Sequence, residues 1–553
     1  MTTTSVHELD AVVIGAGFSG LYLTHRLRDT LGLNIAVIEA GKDVGGTWYW
    51  NRYPGARCDS ESYMYCFAFD KELMQEWEWS GKYPEQPEIL RYLTHVADRF
   101  DFRRSITFNT RVTSAHFDED TNRWNVTTDA GHHYRCQYLI TAIGCLSTGQ
   151  IPDFPGRDTF AGVAYHTGSW PHEGVDFTGK RVAVIGTGSS GVQSIPVIAK
   201  TAAHLSVFQR TPQYMIPARH HTVDKAVLDE IKADYDAIFD KARGSFAGFP
   251  YDVVDRPATS VSDEEREAIL EQGWQAGGFK FLFGSFSDVR TNHESNEHVA
   301  EFIRRKIRTV VDDADLAERL VPKDHPFGSK RTLIDTNYFE TYNRDNVTLV
   351  DLRDTPITEI IPTGIRTIRT APDGTTTTED HPVDIIVYAT GFDAMTGSFN
   401  RIDIRGRGGE ALRDKWAGGP QTYLGLTVSG FPNLFMVTGP GSPSVLANMP
   451  VAIEQHVDLV ADIIVHLRDH DLSLIEADRD AEEAWGRHVN ELAAPTMYMH
   501  ANSWYLGANI PGKPRVFMPY AGGLGPYRRH CEEIVADGFR GFTMHHGAPA
   551  LAD

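Results

Sequence analysis

The feature that most constrains the fold of this chain is a glycine-rich turn between an apolar run at residues 11–14 and a helical pattern at 21–31. In such a strand–turn–helix unit the first glycine permits the tight turn and the second lets the backbone approach a pyrophosphate. Free N–H groups at the start of the helix bind the phosphate charge. The spacing G-x-G-x-x-G therefore predicts a Rossmann-like unit for an adenine dinucleotide. Its members are Gly15, Gly17, Phe18, Ser19 and Gly20.

An acidic residue after the next apolar run indicates which dinucleotide binds there. The run at 35–38 ends in Glu39, which lies 19 residues after Gly20. A carboxylate at this spacing accepts hydrogen bonds from ribose hydroxyls and would repel a ribose 2′-phosphate. The first unit is therefore predicted to bind FAD or NAD.

The same glycine pattern occurs again, after an apolar run at 181–185 and before a helical pattern at 192–200. The following run at 205–208 leads to Arg210, 19 residues after Gly191, where the first unit has its acid. An arginine there can pair bidentately with a 2′-phosphate, so the second unit is predicted to bind NADPH. Without the repeated spacing Arg210 would be read as a solvated surface cation. The residues predicted to contact this cofactor are Thr187, Gly188, Ser189, Ser190, Gly191, Val192, Gln193, Arg210 and Thr211.

Two dinucleotide units on one chain indicate hydride transfer from a nicotinamide to a bound flavin. Such an enzyme passes its electrons to a disulfide, to a protein partner, or to dioxygen. The five cysteines are widely separated and contain no C-x-x-C pair, which argues against a redox disulfide, a zinc site and a disulfide framework. The cysteine pattern favours a reducing, cytoplasmic environment.

The charge balance limits the partners. The chain has 53 Lys and Arg against 74 Asp and Glu, a net charge of −21, and this field repels nucleic-acid backbones and anionic lipid surfaces. No apolar run is long enough to cross a bilayer. We therefore expect a small-molecule enzyme that binds neither nucleic acid nor membrane, holds no metal and needs no obligate protein partner.

A segment between the two glycine turns carries a family resemblance. It fits the pattern F-x-G-x-x-x-H-x-x-x-W-P at every fixed position, and it resembles the fingerprint of type I Baeyer–Villiger monooxygenases. An earlier run, GGTWYWNRYPG at 45–55, resembles a second signature of that family. The resemblance extends over nearly the whole chain. The fingerprint positions are Phe160, Gly162, His166, Trp170 and Pro171.

This resemblance implies an α/β fold with two Rossmann-like dinucleotide-binding domains, for FAD and NADP, and a helical insertion. We expect the FAD-binding domain at 1–150 and 388–553, the NADP-binding domain at 151–222 and 333–387, and the insertion at 223–332. Apolar residues at helical spacing from Val227 to Phe239 and a capping box at Ser262 and Glu265 also indicate helices in the insertion. In the family the insertion packs on the second nucleotide domain.

The implied reaction converts ketones to esters or lactones with NADPH and O2, through a C4a-peroxyflavin that attacks the carbonyl carbon, with sulfoxidation as a side activity. Arg331 matches the family's active-site arginine. A fixed cation favours the peroxide anion and the oxyanion that follows it. Asp59 is predicted to orient this guanidinium.

The resemblance also assigns residues to the cofactors, the substrate and the linker. The loop at 439–449 resembles the longer version found in phenylacetone and steroid monooxygenases, which favours bulky or aromatic ketones. His166 by itself would be read as a packed or solvated histidine, and in the family it lies between the dinucleotide domains, so we treat it as a linker residue. Predicted FAD contacts are Thr47, Trp48, Tyr49, Trp50, Asp59, Tyr65, Val112 and Met449. Further predicted NADP contacts are Arg57, Cys58, Lys330, Arg331 and Trp504, and the predicted substrate pocket includes Ser444, Val445 and Leu446.

Three other functions are compatible with two nucleotide units. An N-hydroxylating flavin monooxygenase shares both glycine turns, but usually diverges after the fingerprint histidine. An NADPH oxidase or electron-transfer flavoprotein would need no ketone pocket. A nucleotide-sensing flavoprotein would bind both cofactors without reacting.

Overall fold

The computed structural model describes residues 6–546, which form two large β-sheets with helices packed against them. Residues 1–5 and 547–553 lie outside the described part of the chain. The strands are β1 Val6–Ile14, β2 Ile35–Ile38, β3 Ile106–Thr107, β4 Val112–Asp118, β5 Arg123–Thr128, β6 His133–Thr141, β7 Val163–His166, β8 Arg181–Ile185, β9 His204–Gln209, β10 Met215–Pro217, β11 Leu333–Asp335, β12 Val347–Asp351, β13 Ile357–Ile361, β14 Gly364–Thr370, β15 Thr376–Pro382, β16 Ile385–Tyr388, β17 Asp403–Arg405, β18 Leu434–Met436, β19 Leu474–Ala477 and β20 Phe542–His545.

Helices connect and cover these strands. The α-helices are α1 Phe18–Thr24, α2 Thr47–Trp50, α3 Lys71–Glu76, α4 Gln86–Arg99, α5 Ser189–Ile198, α6 Lys225–Ala233, α7 Tyr235–Gly244, α8 Asp263–Ala276, α9 Phe279–Gly284, α10 His293–Val310, α11 Ala314–Leu320, α12 Tyr338–Thr341, α13 Leu412–Lys415, α14 Met449–Asp469, α15 Arg479–Ala493 and α16 Leu524–Ala536. A π-helical segment, His25–Thr30, continues α1. Short 3-10 segments are Ser62–Met64, Arg103–Ser105, Arg157–Thr159, Thr167–Ser169, Ala258–Ser260, Phe399–Arg401, Arg407–Gly409, Ser444–Leu446, Met497–His500 and Trp504–Leu506.

The first sheet has the strand order β17-β4-β5-β6-β1-β2-β3, and β18 also pairs with β6. Its centre is parallel, with Ala11 opposite Ile35 in β1 and β2. Residues 11–14 are all buried, as expected for a parallel strand covered on both faces. The glycine turn follows β1 directly and α1 begins at Phe18, which confirms the first predicted Rossmann-like unit.

The second sheet has the order β12-β9-β8-β16-β7, and every pair in it is parallel. Here β8 has the predicted bounds, and its Val182 lies opposite Leu205 of β9. The second Rossmann-like unit is therefore confirmed as well. The fingerprint segment supplies β7, the edge strand of this sheet.

The chain passes from the first sheet to the second and back again. Strands β1–β6 of the first sheet precede β7 and β8 of the second sheet. After β16, the last strand of the second sheet along the chain, β17 and β18 return to the first sheet. The first sheet is thus built from two separate parts of the chain. The boundaries at 150 and 388 stay a prediction.

The insertion differs from its prediction in two respects. The helical pattern at 227–239 is broken into α6 and α7 at Asp234, whose backbone leaves the helical region, and Val227 is 48% exposed. Tyr235 and Phe239 of α7 pack in the hydrophobic core of the first sheet, whereas Leu270 of α8 and later residues pack in the core of the second. The apolar face of α7 packs on α16, which belongs to the core of the first sheet, and not on the second sheet. The insertion therefore contacts both folds.

The predicted capping box is present in the insertion. The side chain of Ser262 accepts a hydrogen bond from the Glu265 N–H at 3.2 Å, which caps α8. All five cysteines are free thiols. Within residues 6–546, none of the helices combines the length and the apolar character needed to cross a membrane.

The two glycine turns share one backbone geometry. Gly15 and Gly186 both have a φ of +107°, and a Cβ at either position would lie 2.6 Å and 2.4 Å from the carbonyl oxygens of Ala142 and Ala389. These two carbonyls belong to the segments through which the chain leaves each sheet. By contrast, a Cβ at Gly188 would meet nothing within 4 Å. Gly186 is thus required by the packing of the protein itself, whereas Gly188 borders open space.

Substitutions at the second turn should separate these two requirements. Gly186→Ala places a side chain at positive φ against a carbonyl oxygen, so we expect the free energy of unfolding to fall by about 2 kcal/mol or more. Gly188→Ala is the matched control and should unfold within about 1 kcal/mol of the parent. Denaturant unfolding of both variants measures this, and equal losses of stability would contradict it.

Candidate active site

Glu39 lies at the carboxyl end of β2 and faces the first glycine turn. Its Oε2 accepts a hydrogen bond from the Ala16 N–H at 2.8 Å, and its Oε1 accepts one from the Gly41 N–H at 2.6 Å. Burial raises the pKa of this carboxyl, and the two N–H groups act against that rise. The acid that is predicted to bind the ribose therefore lies against the backbone of the first glycine turn.

The second signature packs directly on this turn. Gly46 precedes α2, and a Cβ on it would lie 2.8 Å from the Cα of Gly17. In α2, Trp48 Nε1 donates to Tyr65 Oη at 3.2 Å, and the Tyr65 ring lies edge-on to Phe18 at 5.2 Å between centroids. Three of the predicted FAD residues, Phe18, Trp48 and Tyr65, thus form one aromatic cluster.

The other predicted FAD residues lie around this cluster or behind it. Tyr49 packs edge-on against Trp50, and Ser19 is buried in α1. Val112 begins β4 within an apolar core, and Met449 is the first residue of α14. Thr47 is exposed at the start of α2.

These residues fit an FAD. The turn brings backbone N–H groups and the N-terminus of α1 to one point, which suits a pyrophosphate. Buried carboxylate oxygens at Glu39 suit ribose hydroxyls, and the aromatic cluster suits a flat ring system. Their chemistry matches the three parts of that cofactor.

The second glycine turn is bordered by cations. Arg210 is exposed just after β9, and Thr187 Oγ1 donates to the carbonyl of Thr211 at 3.2 Å. Burial lowers the pKa of Lys330, Asp324 acts against this, and the charge of Arg210 lowers it further. Two cations that repel each other beside a glycine turn fit the 2′-phosphate of NADP.

Further polar groups in this region also fit that cofactor. Arg57 Nη2 pairs with Glu85 at 2.7 Å, while its Nη1 is buried without a hydrogen-bond partner among residues 6–546. Thr167 Oγ1 donates to Ser190 Oγ at 3.1 Å. Ser189, Gly191 and Val192 lie in the first turn of α5, at the end that faces the glycine turn.

An ion pair between Asp59 and Arg331 lies between the two nucleotide sites. Arg331 Nη2 donates to Asp59 Oδ2 at 3.1 Å, and the side chain of Asp59 is only 8% exposed. Burial raises the pKa of the Asp59 carboxyl, and Arg331 acts against that rise. Although burial disfavours the charge of Arg331, Asp59 raises the pKa of this guanidinium. Arg331 is thus a permanent cation of fixed orientation.

Gln193 of α5 completes the setting of Asp59. Its Nε2 donates to Asp59 Oδ1 at 3.4 Å and to the carbonyl of Arg57 at 3.1 Å. Its Oε1 accepts from Tyr53 Oη at 2.8 Å. The predicted contact of Gln193 with the pyrophosphate stays a prediction; in the structure its amide contacts Asp59, which no local sequence signal indicated.

The predicted substrate loop contacts the same arginine. The Val445 carbonyl accepts a hydrogen bond from Arg331 Nη1 at 3.4 Å. Ser444 has a φ of +39°, unusual for a residue with a side chain, and its hydroxyl lies 4.0 Å from the sulfur of Met395. Leu446 is partly buried against the first core. The backbone of this loop therefore contacts the guanidinium of Arg331 directly.

Aromatic rings enclose Arg331. Phe279 lies with its ring centroid 5.9 Å from the guanidinium carbon. Burial raises the pKa of Tyr505 and the charge of Arg331 acts against that rise, which places this hydroxyl near the cation. Trp504 packs on Tyr505 at 4.4 Å between ring centroids. Phe279 and Tyr505 were not predicted, because nothing in their local sequence marks them as site residues.

Two cysteines also lie close to the pair. Burial raises the pKa of the Cys58 thiol to about 12, so this group is neutral at physiological pH. Burial also raises the pKa of Cys145. Among residues 6–546, no group of His, Cys, Asp or Glu side chains is arranged to hold a metal ion.

His166 lies where the chain crosses between the two sheets. Its Nε2 lies 3.1 Å from the carbonyl of Gly391, and its Nδ1 accepts from the Gly168 N–H at 3.0 Å. A Cβ on Gly149 would lie 2.7 Å from the same ring. His166 therefore contacts both crossing segments, near 149 and near 391, in agreement with a linker position.

The remaining fingerprint residues fix this crossing. Trp170 is buried, and its N–H donates to the carbonyl of Trp50 at 3.4 Å. A Cβ on Gly162 would lie 2.4 Å from the carbonyl oxygen of Asp384. Phe160 packs on the small core behind the second sheet, and Pro171 follows Trp170. The fingerprint thus joins the second signature to the edge of the second sheet.

Comparison with known proteins agrees with this geometry. Residues 12–246 match the family described as pyridine nucleotide-disulphide oxidoreductase. The chain is 46% identical to a Baeyer–Villiger monooxygenase of Pseudooceanicola batsensis, over 97% of this chain and 96% of that protein. It is 42% identical to a phenazine N-monooxygenase of Lysobacter antibioticus, over 97% of each.

A solved structure extends the likeness to three dimensions. An oxidised steroid monooxygenase bound to NADP has the same fold, with a TM-score of 0.92 and 50% sequence identity. The match covers 98% of this chain and 100% of that one. The predicted family, fold class and cofactors FAD and NADP are thereby confirmed. With its two dinucleotide folds, its fingerprint and its full-length relatives, the chain belongs to the Baeyer–Villiger monooxygenases, flavin enzymes that use NADPH.

Proposed function

We propose that this monooxygenase converts bulky or aromatic ketones to esters or lactones, with Arg331 as the catalytic cation and Asp59 as its partner. The observation that carries this proposal is the ion pair between the buried Asp59 and Arg331, at 3.1 Å, beside the backbone of the predicted substrate loop. A cation in this position can stabilise negative charge as it develops on the reacting oxygen atoms.

When bound, FAD supplies the reduction of dioxygen that side chains cannot perform. The chain's own residues supply the electrostatics. Arg331 stays protonated at any working pH, and Asp59 limits its rotation without discharging it. Because Asp59 is buried and the Arg331 side chain is only partly exposed, the guanidinium acts on a nearby oxyanion more strongly than a fully solvated cation would.

The cations at the second turn are proposed to bind NADPH. Arg210 and Lys330 would hold the 2′-phosphate, which neither NADH nor FAD carries. Arg57, with its unpaired Nη1, would donate to another oxygen of the same cofactor. Trp504 would lie on the nicotinamide side of the site.

Two observations support a preference for large substrates. The loop at 439–449 resembles the longer version of steroid and phenylacetone monooxygenases, and a steroid monooxygenase is also similar over 98% of this chain. Two aromatic side chains, Phe279 and Tyr505, lie near Arg331. Such a surface selects by size and shape, and each methylene changes the selectivity only modestly.

Oxygenation of an aromatic nitrogen is the second candidate. It is favoured by the similarity to the phenazine N-monooxygenase. Product analysis with a bulky ketone and with a phenazine, each with NADPH and O2, separates the two functions. Ester formation alone supports the first, and N-oxide formation alone supports the second.

We also infer that the enzyme works in the cytoplasm. All five cysteines are free, and four of them are buried. Free thiols persist in a reducing compartment.

Loss of the catalytic cation should separate the two half-reactions. For Arg331→Ala we expect ester formation to fall by about 100-fold or more, the scale for losing a preorganised group that stabilises an oxyanion. Flavin bleaching by NADPH under anaerobic conditions should persist. Stopped-flow absorbance and product analysis measure the two steps.

The matched control for this loss is Arg479→Ala, which removes an arginine whose side chain is 81% exposed. We expect it to keep both activities. Ester formation by Arg331→Ala at the parent rate would refute the assigned role.

Arg210→Ala should weaken the binding of NADPH far more than the binding of NADH. A charge-assisted pair with the 2′-phosphate is worth about 1.5–3 kcal/mol, so the KM for NADPH should rise by roughly 10- to 100-fold. The KM for NADH should change little. Lys200→Ala, at an exposed cation just after α5, is the control. Equal effects on the two cofactors would contradict the assignment of Arg210.

A further inference from the structure

A glycine turn in the insertion reaches the catalytic arginine. Gly277 and Gly278 have φ values of +67° and +59° and join α8 to α9. The Gly278 N–H donates to the carbonyl of Pro217 at 2.9 Å. A Cβ on Gly278 would lie 1.9 Å from Tyr83 Oη, so only glycine lets the turn approach this tyrosine.

The two residues after this turn contact the first fold and the active site. Phe279 lies over the guanidinium of Arg331 at 5.9 Å. Lys280 Nζ lies 3.6 Å from Glu61 Oε1. Three consecutive residues, 278–280, therefore lie next to Tyr83, Arg331 and Glu61 in turn.

Glu61 holds the turn from two sides. Its side chain is 5% exposed, and its Oε1 lies 3.8 Å from Lys82 Nζ as well as 3.6 Å from Lys280. Lys82 Nζ in turn donates to the carbonyl of Ala276 at 3.2 Å. One buried carboxylate thus connects to both ends of the segment 276–280.

The position of Glu61 ties this cluster to the catalytic pair. It follows Asp59 by two residues, and the Ser62 N–H donates to the carbonyl of Lys82 at 2.8 Å. The same short stretch of chain therefore places Asp59 against Arg331 and Glu61 against Lys280. A shift of this stretch would move both partners of the arginine together.

A purely structural role does not account for this arrangement well. Replacing a buried charge cluster with apolar side chains often leaves stability unchanged or increases it. The contacts of Glu61 lie at 3.6 and 3.8 Å, longer than direct hydrogen bonds. A carboxylate retained under these conditions contributes orientation more than stability.

We propose that Glu61 is a positioning residue: through Lys280 and Lys82 it holds the turn at 276–280 so that Phe279 covers Arg331. This inference rests on the proposed role of Arg331. With Phe279 in place, the guanidinium is shielded from water on one side. When the turn is released, water reaches the reacting centre, and reduced oxygen leaves as hydrogen peroxide instead of entering the ketone.

The test is a double-mutant cycle between Glu61→Gln and Phe279→Ala, read as ester formed per NADPH oxidised. We expect each single variant to lower this ratio by about threefold, and the double variant to be no worse than Phe279→Ala, because the first residue acts through the second. The hydrogen peroxide yield should rise in step. The KM for NADPH should not change, since Glu61 contacts no predicted cofactor residue.

Two further variants keep the outcome decisive. Lys280→Met removes the contact between Lys280 and Glu61, and because this lysine side chain is 49% exposed, we expect the variant to fold. It should lower the ratio of ester to oxidised NADPH even if Glu61→Gln fails to fold. Lys225→Met, which removes the exposed pair with Glu78 between the insertion and the first fold, should leave the ratio unchanged. A parental ratio in both Glu61→Gln and Lys280→Met, or additive losses in the double variant, would overturn the inference. A parent enzyme that forms no ester would instead count against the proposed function itself.

Discussion

The ion pair between the buried Asp59 and the partly exposed Arg331 is the interaction on which the candidate site depends. Its partners are 272 residues apart in the chain. Asp59 follows the second signature of the first fold, and Arg331 ends the insertion just before β11. A carboxylate removed from water must be paired, so the pair forms only when the two folds are docked. Gln193, from the second fold, then fixes the carboxylate from its other side.

The docking itself is controlled by close backbone packing. In both folds the first glycine of the turn lies against the segment by which the chain leaves the sheet, with the same φ of +107°. These exit segments run past His166, which contacts one of them at Gly149 and the other at Gly391. The two glycine turns and the crossings that join the folds are thus parts of one packed unit. The contacts of the fingerprint residues therefore connect the two folds, which agrees with a structural role for this segment.

Local sequence patterns predicted the elements of both dinucleotide folds. Strands at 35–38 and 181–185 have the expected bounds, because apolar runs in parallel sheets and glycine turns are local signals. The contacts of Gln193 with Asp59 and of Phe279 with Arg331 could not be predicted, since they depend on how remote segments pack. The break at Asp234 was missed for the same reason: tertiary packing overrides a continuous helical pattern.

The acidic charge of the chain and its anionic cofactors are compatible because electrostatics at the site is local. The net charge is −21, yet screening at physiological salt limits exposed charges to a range of about 8 Å. Arg210 lies just after β9, and its charge lowers the pKa of Lys330, so these two cations are close enough to repel each other. A phosphate group between two such cations would be attracted by both, whatever the net charge of the whole chain.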